Sequence, residues 1–310
     1  AYAREIAADA ILAVGGGSVL DAAKGVKYGL AHQLLDIGET LQAGIKMEAW
    51  PAAQHSGIPH LAVPTTAGTG AEVSAAAVIL NEQTGIKGGL AVPFLEADIA
   101  VLDPQLTVGL PPGLTASTGM DALTHALEGV ASPNANPFTD AHCILAAQLI
   151  ERYLPMAVEN GRDIDARTQM LTASCMAIDG YVSSLNATPV HNCSHAFGGL
   201  YHIPHGDANG VFLPIVMEAL PELYIPNAER LAQALNLPPS DKTGADRLEE
   251  VIARVRRLQA QTGCATDLSR WKVKADDMEQ IIAAVASDPI AVFFPIPPEK
   301  IQEITLKAIG

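Results

Sequence analysis

Two hydrophobic rhythms divide this chain. Up to about residue 108, short apolar runs alternate with turns; beyond it, apolar residues recur with a helical period almost to the end. The short runs are Ala10–Val14, His60–Val63, Ala75–Leu80, Gly88–Val92 and Asp98–Leu102. They are rich in Val, Ile and Ala and do not alternate cleanly, as expected of strands covered on both faces. A helix is expected around Asp21–Ala31, and residues 1–10 read as the end of a helix feeding the first strand. Residues 1–108 therefore predict an α/β unit with a largely parallel sheet. A chain that enters on a helix before a strand also predicts that the first strands of this sheet lie ahead of Ala1. After Leu110-Pro-Pro-Gly113 the pattern predicts helices over 112–129, 137–154, 165–181, 189–197, 206–219, 227–234, 241–261, 275–286 and 298–308. Gly198-Gly199 and Gly206 read as breaks between helices. Residues 109–310 thus form an expected all-α unit.

Composition narrows the functional classes. With 310 residues, 49% of them hydrophobic and 17% charged, the chain can bury a large core and is long enough for two domains. Its formal net charge of −15 opposes binding to nucleic acid or to an anionic membrane surface. No run of eighteen apolar residues predicts a spanning helix. The four cysteines, Cys143, Cys175, Cys193 and Cys264, make no C-x-x-C pair, which points to the cytoplasm rather than to a disulfide framework. Cys193 lies inside a histidine cluster, but only two residues from His191, off the shared helix face.

Two glycine turns leave strand ends. Gly15-Gly16-Gly17-Ser18-Val-Leu-Asp21 follows the first strand and opens a helix, where unpaired N–H groups and the dipole suit a pyrophosphate. It is not G-x-G-x-x-G, because Leu20 replaces the last glycine, and no Gly-Lys-Ser/Thr makes it a P-loop. Pro64-Thr65-Thr66-Ala-Gly68-Thr-Gly70-Ala-Glu72 leaves the second strand in the same way. Two such turns at the carboxyl edge of an open sheet line one crevice for a nucleotide.

The helical half holds a second constellation. Four of the nine histidines, His191, His195, His202 and His205, fall within fifteen residues. Upstream, Asp121 and His125 are spaced i, i+4 in Gly119-Met-Asp-Ala-Leu-Thr-His-Ala-Leu-Glu128, so they share a helix face, as do His191 and His195. Imidazoles with one carboxylate make a donor set for Fe(II), Zn(II), Mn(II) or Co(II). Spacing alone does not choose four ligands from Asp121, His125, His191, His195 and His205.

Together these motifs resemble the iron-containing (group III) alcohol dehydrogenases over nearly the whole chain. The resemblance implies metal ligands Asp121, His125, His191 and His205, with Fe(II) ahead of Zn(II). It places His195 beside the nicotinamide and substrate as the catalytic residue. It implies NAD or NADP held by Gly16, Gly17, Ser18, Asp21, Thr65, Thr66, Lys87 and Leu106, Lys87 being the local positive charge that an acidic protein needs near a phosphate. It further implies a homodimer acting on a small alcohol or aldehyde. Resembling chains carry a preceding segment that reads the adenosine 2′ position, so these residues do not separate NAD from NADP. The segment Asp288–Pro298 departs from the family pattern. A glycerol-dehydrogenase-like or dehydroquinate-synthase-like relative, and a metal-binding chain without turnover, are the alternative readings.

Overall fold

A computed structural model describes residues 2–41, 44–49, 53–81 and 86–310, with the side chains at 80, 81, 86 and 87 excepted. After a short helix α1 (Tyr2–Glu5), the first half carries β1 (Ile11–Gly15), α2 (Gly17–Ala31), β2 (Ile45–Met47), β3 (His60–Pro64), β4 (Ala76–Asn81), β5 (Ile86–Ala91) and β6 (Ile99–Ala100). β1, β3 and β6 form one parallel sheet with β3 in the middle, Val14 opposite Val63 and Ala62 opposite Ala100. The expectation of a largely parallel sheet holds there. It is corrected for β4 and β5, which pair antiparallel in a second sheet ordered β2-β5-β4. Short apolar runs report burial but not direction, which is why periodicity missed this. β2, three residues long, was also too short to read.

Helices follow from residue 112: α3 (Pro112–Ala131), α4 (Pro137–Glu159), α5 (Ile164–Ser183), α6 (Pro189–Tyr201), α7 (His205–Ala219), α8 (Pro221–Tyr224), α9 (Ala228–Ala234), α10 (Gly244–Thr262), α11 (Met278–Ser287) and α12 (Pro298–Ile309). Their starts follow from local chemistry. Proline occupies the first turn of α3, α4, α6 and α12, where its missing N–H costs nothing. Asn136 and Thr139 close a reciprocal capping box on α4.

The expected break at Gly198-Gly199 is corrected: α6 runs through both glycines and stops where His202 turns left-handed at φ 56°. Gly206 is corrected too. It is the second residue of α7, and a Cβ there would meet the Ser117 carbonyl oxygen at 2.3 Å, so glycine lets α7 press directly on α3.

One large apolar cluster, built from α3 to α12, is the main core; the α/β half has two small ones. α3 runs through the middle of the large cluster, buried along nearly its whole length. α7 lies beside it and contains Pro214, which has no N–H for the Gly210 carbonyl four residues back. Gln259 of α10 repairs this, donating from Nε2 to the Gly210 oxygen at 2.6 Å in a fully buried position. Gln259→Leu leaves that carbonyl unpaired. It is expected to cost ~1–3 kcal/mol of stability, read from denaturant midpoints.

Candidate metal centre and nucleotide crevice

α3 places Asp121, His125 and Glu128 on one stripe of a helix that is buried along nearly its whole length. All three are buried: Asp121 is 2%, His125 5% and Glu128 1% exposed. Burying charge this deeply is unfavourable unless it is paired or coordinates a metal. α6 brings His191, 3% exposed, against the same stripe. One potential ligand atom from each of Asp121, His125 and His191 lies within 4.8 Å of the others. α7 adds His205, whose Nε2 is 3.5 Å from Asp121 Oδ1. The structure therefore gathers Asp121, His125 and His191 closely and sets His205 at the edge of the group.

Residues outside the sequence expectation brace these four. Asn209, one turn after His205 on α7, donates to Asp121 Oδ1 at 2.7 Å and stands 3.2 Å from His205 Nε2. Glu128 accepts from His191 Nδ1 at 2.5 Å. Both were visible as spacing, Glu128 at i+3 from His125 and Asn209 at i+4 from His205. His195 stands to one side, its ring stacked 5.2 Å from His205. Its Nδ1 lies 3.3 Å from Asp288 Oδ2, a pairing across more than ninety residues that no local pattern signals. Cys193 is buried in the apolar core, and burial raises its thiol pKa, so it stays a neutral packing residue.

The donors fit a metal. His191 Nε2 and His125 Nδ1 are buried with no hydrogen-bond partner among the described residues, and His191 Nε2 faces Asp121 Oδ1 at 3.8 Å. Electrostatics agree. Burial alone would raise the Asp121 carboxyl, but His125, His205 and His191 outweigh it and hold it far below the ordinary range. Burial drives His125 down to about 4 against the pull of Asp121, which leaves its imidazole neutral. Burial opposes charge on His191 as well, yet Glu128 and Asp121 flank it and lift it to about 9. Near neutral pH the metal-free cluster thus keeps a proton on His191 where a cation belongs.

Most of the residues expected to hold a nucleotide lie at the carboxyl edge of the β1-β3-β6 sheet. Gly16, Gly17 and Ser18 follow β1, Thr65 and Thr66 follow β3, and Leu106, 45% exposed, follows β6. Among the described residues no side chain caps α2 at Gly16; Val19 N is bonded to the Gly16 carbonyl, which leaves the Gly17 and Ser18 N–H groups as the first-turn donors for a ligand. The two turns touch: Thr65 N donates to the Gly15 carbonyl at 3.0 Å, and a Cβ at Gly17 would meet Thr69 at 2.7 Å. Asp21 instead spends both oxygens inside the protein, on Lys24 at 3.2 Å and on the Val78 N–H at 3.0 Å. Lys87 lies on β5, and its side chain is outside the described residues. Gly68 of the second turn presses on α3, where a Cβ would meet the Thr118 carbonyl oxygen at 2.8 Å, so the crevice abuts the helix that carries Asp121 and His125.

A glycine-lined crevice adjoining a cluster of one buried carboxylate and two buried histidines, with His205 at its edge, is an arrangement suited to a metal-dependent oxidoreductase. The iron-containing alcohol dehydrogenase profile matches residues 1–104, and the C-terminal profile of the Fe-containing alcohol dehydrogenase family matches residues 115–309; the chain belongs to that family. It is 42% identical over 292 residues to the probable alcohol dehydrogenase EutG of Salmonella typhimurium, covering 93% of this chain and 69% of that protein. It is 37% identical over 253 residues to the 1-propanol dehydrogenase PduQ of the same organism, covering 80% of this chain and 62% of PduQ. The crystal structure of a 1,3-propanediol oxidoreductase superposes with a TM-score of 0.85 at 34% identity, over 99% of this chain and 78% of that one.

Two outcomes follow from the geometry. Zn(II) uptake near pH 7.5 should release about one proton, from His191, falling towards zero above pH 10; calorimetry in buffers of different ionisation enthalpy reads this directly. Gly206→Ala should cost ~1–3 kcal/mol of stability by overpacking against α3 and lower metal occupancy, because α7 carries His205.

Proposed function

We propose that this chain is a metal-dependent alcohol dehydrogenase, interconverting a small alcohol and its aldehyde or ketone with NAD or NADP. The observation that carries the reading is the contact between the two halves of the site. Gly68, in the second glycine turn, lies so close to α3 that a Cβ there would meet the Thr118 carbonyl oxygen at 2.8 Å, one turn ahead of Asp121 in the cluster. Asp121, His125, His191 and His205 are the proposed ligands, a donor set suited to Fe(II) first and Zn(II) second. When bound, the metal supplies Lewis acidity towards an alcohol oxygen, and the nicotinamide supplies the hydride acceptor.

The rest of the work falls to the chain. Gly16, Gly17 and Ser18 offer backbone donors to the pyrophosphate, and Thr65, Thr66 and Leu106 line the remaining edge. Asp121 and the histidines are held by buried partners, so they need no rearrangement to accept charge. His195 is the proposed proton acceptor: Asp288 takes its Nδ1 side and leaves Nε2 for the alcohol proton. Family membership supports a small alcohol, and the C3 alcohols named for relatives are the first to assay. A homodimer and a cytoplasmic location belong to the proposal as well; the second is supported by four unpaired cysteines. No single helix is long and apolar enough to cross a membrane among the described residues.

Fe(II)- or Zn(II)-loaded protein should reduce propanal with NADH or NADPH, followed by absorbance, and lose this on chelation. A metal-replete protein with no turnover on C2–C4 alcohols and aldehydes would favour metal binding without catalysis. His195→Asn should lower kcat ~100-fold or more at unchanged metal content; full rate with an unaltered pH profile would remove its role.

A further inference from the structure

Glu128 is outside the ligand set, yet it is among the most enclosed charges of the helical half, at 1% exposure. It sits on α3, one turn beyond His125, and both of its oxygens are committed to α6. Oε1 accepts the Val190 backbone N–H at 2.7 Å, and Oε2 accepts the Nδ1–H of His191 at 2.5 Å. α6 needs the first of these bonds. Thr188 at its N-cap makes no side-chain capping bond, and Pro189 brings no N–H. The Val190 donor is therefore one of the orphans at a helix start, in a fully buried place where water does not reach it. Glu128 satisfies it from another helix.

The second bond concerns His191. With Nδ1–H held by Glu128, only Nε2 remains for a ligand bond. That atom faces Asp121 Oδ1 at 3.8 Å and has no hydrogen-bond partner among the described residues. The ring also packs 4.5 Å from His125 and 5.0 Å from Tyr181, which are themselves 5.0 Å apart, so the three rings form one packed cluster.

We propose that Glu128 is a positioning residue of the metal centre. Its carboxylate fixes the start of α6 against α3 and presents His191 Nε2 as a preoriented ligand. One group sets both helix position and ring orientation, so the two ligand-bearing helices cannot shift without disturbing the site. Outer carboxylates that hold a ligating imidazole act in this way in metal sites generally. The inference rests on the metal reading above.

The test uses Glu128→Gln in the full chain, with Zn(II) affinity measured by competition against a chelating dye and the melting temperature of the metal-free protein measured alongside. Glutamine keeps the size but offers one acceptor oxygen to two donors. The expected result is Zn(II) binding weakened roughly 10–100-fold by more than any loss of fold explains. Affinity equal to wild type, with only the metal-free melting temperature lowered, would make Glu128 a helix cap alone and overturn the proposal. Should the variant not fold, the wild type still decides. In the Zn(II) form, long-range 1H–15N spectra should show His191 protonated at Nδ1 and ligated through Nε2, and ligation through Nδ1 would overturn it. A wild-type chain that binds no Zn(II) would instead defeat the metal reading itself.

Discussion

The architecture depends on a carboxylate that the core cannot tolerate by itself. Asp121 lies in the centre of a helix whose neighbours are Met120, Ala122 and Leu123, all fully buried. An isolated carboxylate there would be protonated or expelled. It stays ionised because His125 and His191 converge on it, with His205 beside them, and because Asn209 donates to it. Each partner comes with its own helix, so α3, α6 and α7 are located relative to one another by charge as well as by apolar packing. The features around the site serve this closeness. Gly206 allows α7 to touch α3, and Gln259 keeps α7 intact past its internal proline.

The α/β half presents the other reactant. Parallel strands put their carboxyl ends on one side, and the turns after β1 and β3 sit at that edge. The second turn also reaches the helical half, where Gly68 packs on Thr118. Glu72, a few residues further on, accepts from Cys175 of α5 at 3.0 Å. The crevice and the cluster therefore meet through backbone, which fixes the separation between the glycine turns and the Asp121–His125 face of α3.

Much of this was legible in the residues. Helix starts were marked by proline in the first turn, and the paired ligands by i, i+4 spacing along one helix face. Information that depends on non-local packing was not. Strand direction in β4 and β5 follows from a hairpin that apolar runs do not encode. Two glycines in α6 looked like a stop, but the helix is held by its packing and ends instead at a left-handed histidine. The pairing of His195 with Asp288 joins positions far apart in sequence. Glu128 and Asn209 lay on the correct helical stripes and went unread, because a carboxylate or amide one turn from a candidate ligand looks the same whether it faces the site or solvent.

The central claim is that the buried Asp121–His125–His191 group, with His205 at its edge, exists to hold a metal. Elemental mass spectrometry of the purified chain, beside a His191→Ala/His205→Ala variant of retained helicity, tests it most directly. The account predicts about one Fe or Zn per wild-type chain and its loss from the variant. A metal-free wild type after reconstitution, or a variant that keeps its metal, would contradict it.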